Sequence, residues 1–150
     1  MRRAIALSRE MMEKGTGGPF GAVIVKDGRI IAEGFNQVTS SNDPTAHAEI
    51  VAIRAACASL GTFALRGSEI YTSCEPCPMC LAAIYWARIE RIFYGNDRCD
   101  AARIGFDDEF LYREVALPPE ARSLDMRQLL SAEARETFDA WEHKPNKTMY

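Results

Sequence analysis

A chain of 150 residues, 47% hydrophobic and 26% charged, has the size and make-up of one globular domain, which excludes a disordered tail and a miniprotein that folds only when stapled. Its formal net charge of -3 is unevenly placed: residues 1 to 100 carry 11 Lys+Arg against 11 Asp+Glu, and residues 101 to 150 carry 7 against 10, so a basic footprint for nucleic acid is absent. Five cysteines are an odd number, and those at 74, 77 and 80 stand too close for a disulfide framework, which points to a reducing compartment and a metal site.

In chain order, Ala4, Ile5, Leu7, Met11 and Met12 recur at helical spacing and predict a helix over Arg2 to Lys14, stopped by Gly15 and Gly17-Gly18-Pro19. Gly21 to Lys26 and Arg29 to Phe35 read as antiparallel strands joined by Asp27-Gly28, a two-residue hairpin signal. Thr39 to Pro44 is polar and turn-rich. The apolar face of Ile50, Ala52, Ile53, Ala56, Cys57 and Leu60 then predicts a second helix from about Thr45 to Leu60, ended by Gly61.

Glu69 to Thr72 reads as a strand, Pro76 to Arg88 as a helix with its prolines in the first turn, and Arg91 to Gly95 as a strand, the alternation of a parallel crossover unit. Met79 to Ala87 is apolar on every side, so this helix is expected to be buried at the centre of the domain. Asp108 to Val115 is a further helix, Leu117-Pro118-Pro119 breaks it, Met126 to Leu130 is an expected edge strand, and Glu133 to Lys144 is helical. That nine-residue run is the longest apolar stretch, far below the roughly 20 residues of a membrane span, and Met1-Arg2-Arg3-Ala4-Ile5 lacks the apolar core of a secretory signal. A cytoplasmic protein with no membrane partner is expected.

The chemistry-bearing residues fall in two places. His47-Ala48-Glu49 stands at the start of the second predicted helix, and Pro76-Cys77-Pro78-Met79-Cys80 at the start of the third. Cys77 and Cys80, three apart, share a helix face, and His47 from a neighbouring helix completes a three-ligand set that leaves zinc one open position. Two helix N-termini converging there favour thiolates, and the open position suits an activated water. Glu49 separates a catalytic from a structural reading: it and His47 reach one cavity only from the first turn, where a carboxylate beside that water can move its protons. A closed structural site using Cys74 as fourth ligand, in a non-catalytic zinc-stabilised binding module, is the alternative. Cys74 lies on the strand side of the helix start, and such a module has no use for Glu49.

The paired H-A-E and P-C-x-x-C signature resembles that of the cytidine deaminase superfamily. Gly17-Gly18-Pro19-Phe20-Gly21-Ala22-Val23, Asn42 through Glu49, Thr72 through Cys80, Ala83 through Arg88, and Gly105-Phe106-Asp107-Asp108 are most similar to small bacterial guanine deaminases. The resemblance implies a three-layer α/β/α sandwich with a five-stranded mixed sheet, one zinc per chain, and hydrolysis of guanine to xanthine and ammonia. It further implies a homodimer, with residues 131 to 150 a C-terminal helix and lid that can cross to the partner and bring Tyr150 over the base. Asn36 matches the family's base-binding asparagine, with a turn residue as the alternative. Asp108 matches an acid serving the exocyclic amine, with a solvated acidic face beside Asp107 as the alternative. Phe20 and Trp86 are candidate walls for the base, with core packing as the alternative for at least one. Adenosine deaminases acting on tRNA share the same signature through the first hundred residues, and cytosine deaminases are a third possibility. The acidic last third argues against tRNA.

Overall fold

A computed structural model describes all 150 residues and divides them into two compact units, Met1–Tyr112 and Arg113–Tyr150. The first unit is built on a mixed sheet. Strands β1 (Gly21–Lys26) and β2 (Arg29–Phe35) form the expected hairpin, with Asp27 and Gly28 at φ 51° and 72°. Two consecutive left-handed residues match the twist of the flanking strands, and Asp-Gly is among the pairs that tolerate them. β1 also pairs antiparallel with β3 (Ser68–Cys74), and β3 pairs parallel with β4 (Arg91–Asn96), in the order β2-β1-β3-β4. A parallel pair needs a crossover, and it is supplied by the helix between β3 and β4.

The sheet has four strands where five were expected. Met126 to Leu130, the expected edge strand, is irregular, with Leu129 and Leu130 largely exposed. Leu130 takes a left-handed conformation, φ 51°, immediately before a helix, and that single residue ends any extended run there.

Six helices accompany the sheet in unit one and at its boundary: α1 (Arg2–Glu13), α2 (Val38–Ser41), α3 (Ala48–Leu60), α4 (Pro78–Trp86), α5 (Arg98–Arg103), and α6 (Asp108–Ala116), which ends just past Tyr112. Alternation along β1 divides the core. Ala22 and Ile24 join Ile70, Ala48, Ala52 and Ala56 of α3, and Ile84 of α4 on one face, whereas Val23 meets Ala4 and Leu7 of α1 on the other. Helices therefore cover both faces of the sheet, as an α/β/α layering requires. The alanines of α3 fall four apart and form a smooth stripe that lets the helix approach β2 closely. A Cβ on Gly34 would run into the Ala48 carbonyl.

Two expectations about the helices change. α3 begins at Ala48 rather than near Thr45, because Asp43 captures both the backbone N–H and the hydroxyl of Thr45 (2.8 and 2.6 Å) and holds that segment as a turn. α4 is not buried all round: Cys80 and Ile84 are enclosed, but Tyr85 and Trp86 are 69% and 60% exposed. Only the stripe facing the sheet and α3 is enclosed; the apolar residues on the other side, Tyr85 and Trp86 among them, stay largely exposed.

Unit two carries a 3-10 turn (Pro119–Ala121) and α7 (Ser131–Glu142). None of its residues is buried, and it displays Leu124, Leu129 and Phe138 at 74 to 80% exposure. No helix of the molecule is long and apolar enough to cross a membrane.

Candidate metal centre

His47 and Cys77 each occupy the residue just before a helix, with extended backbone (φ -68°, ψ 157° and φ -64°, ψ 168°). From there each side chain swings across its helix end toward the other. Pro78 at the first position of α4 fixes the turn that carries Cys77 and Cys80 onto one side. The result is one cluster: His47 Nδ1 lies 3.6 Å from Cys77 Sγ and 3.5 Å from Cys80 Sγ, and the three ligand atoms lie within 4.8 Å of one another.

These separations fit zinc. With Zn–S of about 2.3 Å and Zn–N of about 2.0–2.1 Å, tetrahedral angles place a nitrogen and a sulfur about 3.5 Å apart. The two sulfurs and one imidazole are also the donors zinc favours. Cys80 hydrogen-bonds to Cys77 and, together with His47, holds the Cys77 thiol down to about 4, while Cys80 itself is pushed up. A lowered Cys77 thiol favours the deprotonated form that a metal ligand must take. Cys74 stands apart: its sulfur points to the Asp97 carbonyl at 3.6 Å, and burial pushes the thiol up to about 12.

A cavity of about 320 Å³ opens beside the cluster, lined by His47 and Cys77 and also by Glu49, Asn36, Asp108 and Phe20. Glu49 sits in the first turn of α3, nearly enclosed, and burial pushes its carboxyl up to about 7. A carboxyl titrating near neutrality is suited both to take and to give a proton. His47 and Glu49, two apart in sequence, face the same cavity because one precedes the helix and the other is in its first turn.

Asn36 follows β2, and its side-chain Oδ1 accepts from the backbone N–H groups of Gly18 and Val38 (3.2 and 3.3 Å). With the oxygen so engaged, the Nδ2 donor is the part of the amide left for a ligand. Gly17 has to be glycine here: a Cβ would collide with the Asn36 carbonyl. Asp108, at the start of α6, is half-buried on the cavity, and burial raises its carboxyl above the ordinary aspartate value.

The aromatic wall differs from expectation. Phe20 lines the cavity and packs edge-on against Phe106, ring centroids 4.7 Å apart at 87°, whereas Trp86 lies at the far end of α4, exposed, with the Arg88 guanidinium 5.7 Å from its ring. Cys80 and Trp86 are separated by nearly two turns, too far along the helix for both to serve one cavity. Tyr150 belongs to unit two, 70% exposed. Glu75 and Phe106 also line the cavity and went unassigned in the sequence; each stands inside a motif, but nothing in its spacing signals a wall.

Residues 1–96 match the family model for the cytidine and deoxycytidylate deaminase zinc-binding region. Over all 150 residues the chain is 55% identical to the guanine deaminase of Bacillus subtilis (strain 168), covering 96% of that protein. The X-ray structure of guanine deaminase from Bacillus subtilis superposes with a TM-score of 0.95, at 55% identity over 99% of this chain and 95% of that one. A tRNA-specific adenosine deaminase of Agrobacterium fabrum is 54% identical over 77 residues, 51% of each chain.

Proposed function

Since the chain belongs to the cytidine and deoxycytidylate deaminase family, within whose zinc-binding region the His47, Cys77 and Cys80 cluster falls, we propose that it is a zinc-dependent guanine deaminase, hydrolysing guanine to xanthine and ammonia. The observation that carries the substrate is the extent of likeness: the guanine deaminase of Bacillus subtilis matches from end to end, the tRNA enzyme over about half. The acidic last third agrees, since phosphate contacts call for Lys and Arg.

His47, Cys77 and Cys80 are the residues that would hold the metal, and the chemistry zinc supplies when bound is a Lewis acidity that makes water a competent nucleophile near neutral pH. The protein's own groups do the rest. Glu49 takes the proton of the attacking water and passes it to the ring nitrogen beside the reacting carbon. It then delivers the second proton to the departing amine, so that water and guanine become xanthine and ammonia. Asn36 Nδ2 donates to an acceptor on the purine edge, Asp108 accepts from the exocyclic amine, and Phe20, braced edge-on by Phe106, forms an aromatic wall for the base.

The working form is a homodimer, with Glu142 to Tyr150 a lid over the base. Support comes from unit two, which displays Leu124, Leu129 and Phe138 and encloses no side chain, as expected of a segment that completes itself against a second copy. The deciding experiment is ammonia release from guanine, adenine, cytosine, cytidine and a tRNA anticodon stem-loop. Guanine alone is expected to react; turnover of the stem-loop alone would overturn the substrate.

A further inference from the structure

Glu75 borders the cavity, but its carboxylate is turned to a partner within the chain. Arg98 occupies it: Nη2 donates to Oε1 at 2.6 Å, and Nε and the backbone N–H both donate to Oε2 at 3.1 Å. The same guanidinium lies 3.9 Å from the centre of the Tyr112 ring, and the Tyr112 hydroxyl donates to the Pro76 carbonyl at 2.7 Å. Pro76 is the residue before the ligand Cys77, and the Glu75 backbone N–H is bonded to the Asn96 carbonyl at the end of β4 (2.8 Å). Three separate stretches of chain are closed into a loop: the segment entering α4, the start of α5, and α6. Tyr112 stands four residues after Asp108, so the two share one face of α6.

We propose that Glu75, Arg98 and Tyr112 form a positioning latch that sets where Asp108 stands over the cavity relative to the metal-ligand loop. The inference rests on the role given above to Asp108 in guanine turnover. Geometry favours this assignment over simple stabilisation. The planar fork of Arg98 is satisfied on its edge by Glu75 while its face covers Tyr112, so the helix bearing Asp108 is registered both by a stacked ring and by a hydrogen bond to the backbone next to Cys77. Moving α6 by an ångström or more along its axis stretches the hydrogen bond beyond range or slides the ring from under the guanidinium.

The test uses the zinc-loaded full chain and Tyr112→Phe, which keeps the stacked ring and removes only the hydroxyl. The expected result is a roughly 3- to 10-fold fall in kcat for guanine, with KM and zinc content unchanged. In an Asp108→Asn background the same change should cost almost nothing further, because a residue acting through Asp108 has nothing left to position. Amide hydrogen exchange supplies a readout independent of activity: residues 108 to 112 should exchange faster in Tyr112→Phe, and α1 should not change. Unaltered exchange in α6, or the same fold loss with and without Asp108, would overturn the latch. A wild-type enzyme that fails to turn over guanine would overturn the substrate instead and leave the exchange experiment to decide the latch.

Discussion

His47 and Cys77 hold the same position in two different helices, each the last extended residue before the first turn, and their ligand atoms meet 3.6 Å apart. The metal centre is thus a junction of two helix starts rather than a loop that metal must organise. Ala48, next to His47, and Ile84, in the helix that Cys77 precedes, both pack in the sheet core, while Cys77 and Cys80 pack with Ile50 of α3.

Replacing Cys80 by Ser should remove both zinc and activity. Cys74→Ser should keep zinc near one equivalent per chain, because that sulfur faces the Asp97 carbonyl. Metal analysis of the two purified variants checks the assignment, and loss of zinc from the second would restore a closed four-ligand site.

Glu49→Gln keeps the shape of the side chain and removes its proton chemistry. Zinc content should be retained while kcat falls by roughly 10²–10⁴-fold, the usual cost of losing a general acid/base. Steady-state kinetics on metal-verified protein decides it; a rate near that of the wild type removes Glu49 from the mechanism.

Gly17→Ala would drive a methyl into the Asn36 carbonyl and crowd its side-chain oxygen. With Asn36 in its proposed role as donor to the base, kcat/KM should fall roughly 10-fold or more, with zinc unaffected. Titration of xanthine binding in the variant provides the check.

Arg3 joins α1 to β2 through Glu33, at 2.8 and 2.7 Å, and that hydrogen bond holds the Glu33 carboxyl below its ordinary 4.5. A folded-state pKa below the unfolded one means that the unfolded chain binds more protons near pH 4. The pair's stabilisation is therefore present above about 4.5 and disappears as pH falls through the folded value. Both side chains are more than a third exposed, so the contribution is held to about 0.2–1 kcal/mol. Denaturant melts of wild type and Arg3→Ala should differ by that amount at pH 7 and converge toward pH 3; a constant gap across that range would refute the linkage.

Deleting Lys147 to Tyr150 should lower kcat/KM for guanine on the order of 10²-fold while folding and zinc content stay intact, the cost of leaving the substrate unconfined. Full activity in the truncated chain would show that this segment is no lid.

Legibility followed locality. The hairpin could be read because Asp27-Gly28 encodes its own turn, and the metal ligands because their geometry is set within one helical turn on each side. Glu75, Phe106 and the latch residues Arg98 and Tyr112 could not, since they meet only after β4 and α6 are in place. Trp86 was misread for a related reason: nine apolar residues in succession carry no contrast between one helix face and the other, so nothing in the pattern says that Cys80 and Ile84 turn inward while Trp86 turns out. The expected fifth strand at Met126 to Leu130 pairs with no sheet edge, and local apolar content does not say whether such an edge is there to meet it.

The two backbone amides that engage Asn36 also limit how this pocket could be converted during divergence to another purine. Rotating the carboxamide to present its oxygen would place an NH₂ against two N–H groups, at a cost of about 1–3 kcal/mol for each donor left unpaired. A base that offers a donor rather than an acceptor to the Asn36 amide would therefore require rebuilding the Gly17-Gly18 turn, or abandoning the asparagine. The Gly17-Gly18 turn and the Asn36 amide thus constrain one another: neither can be replaced alone without leaving a polar group unpaired or a backbone in collision.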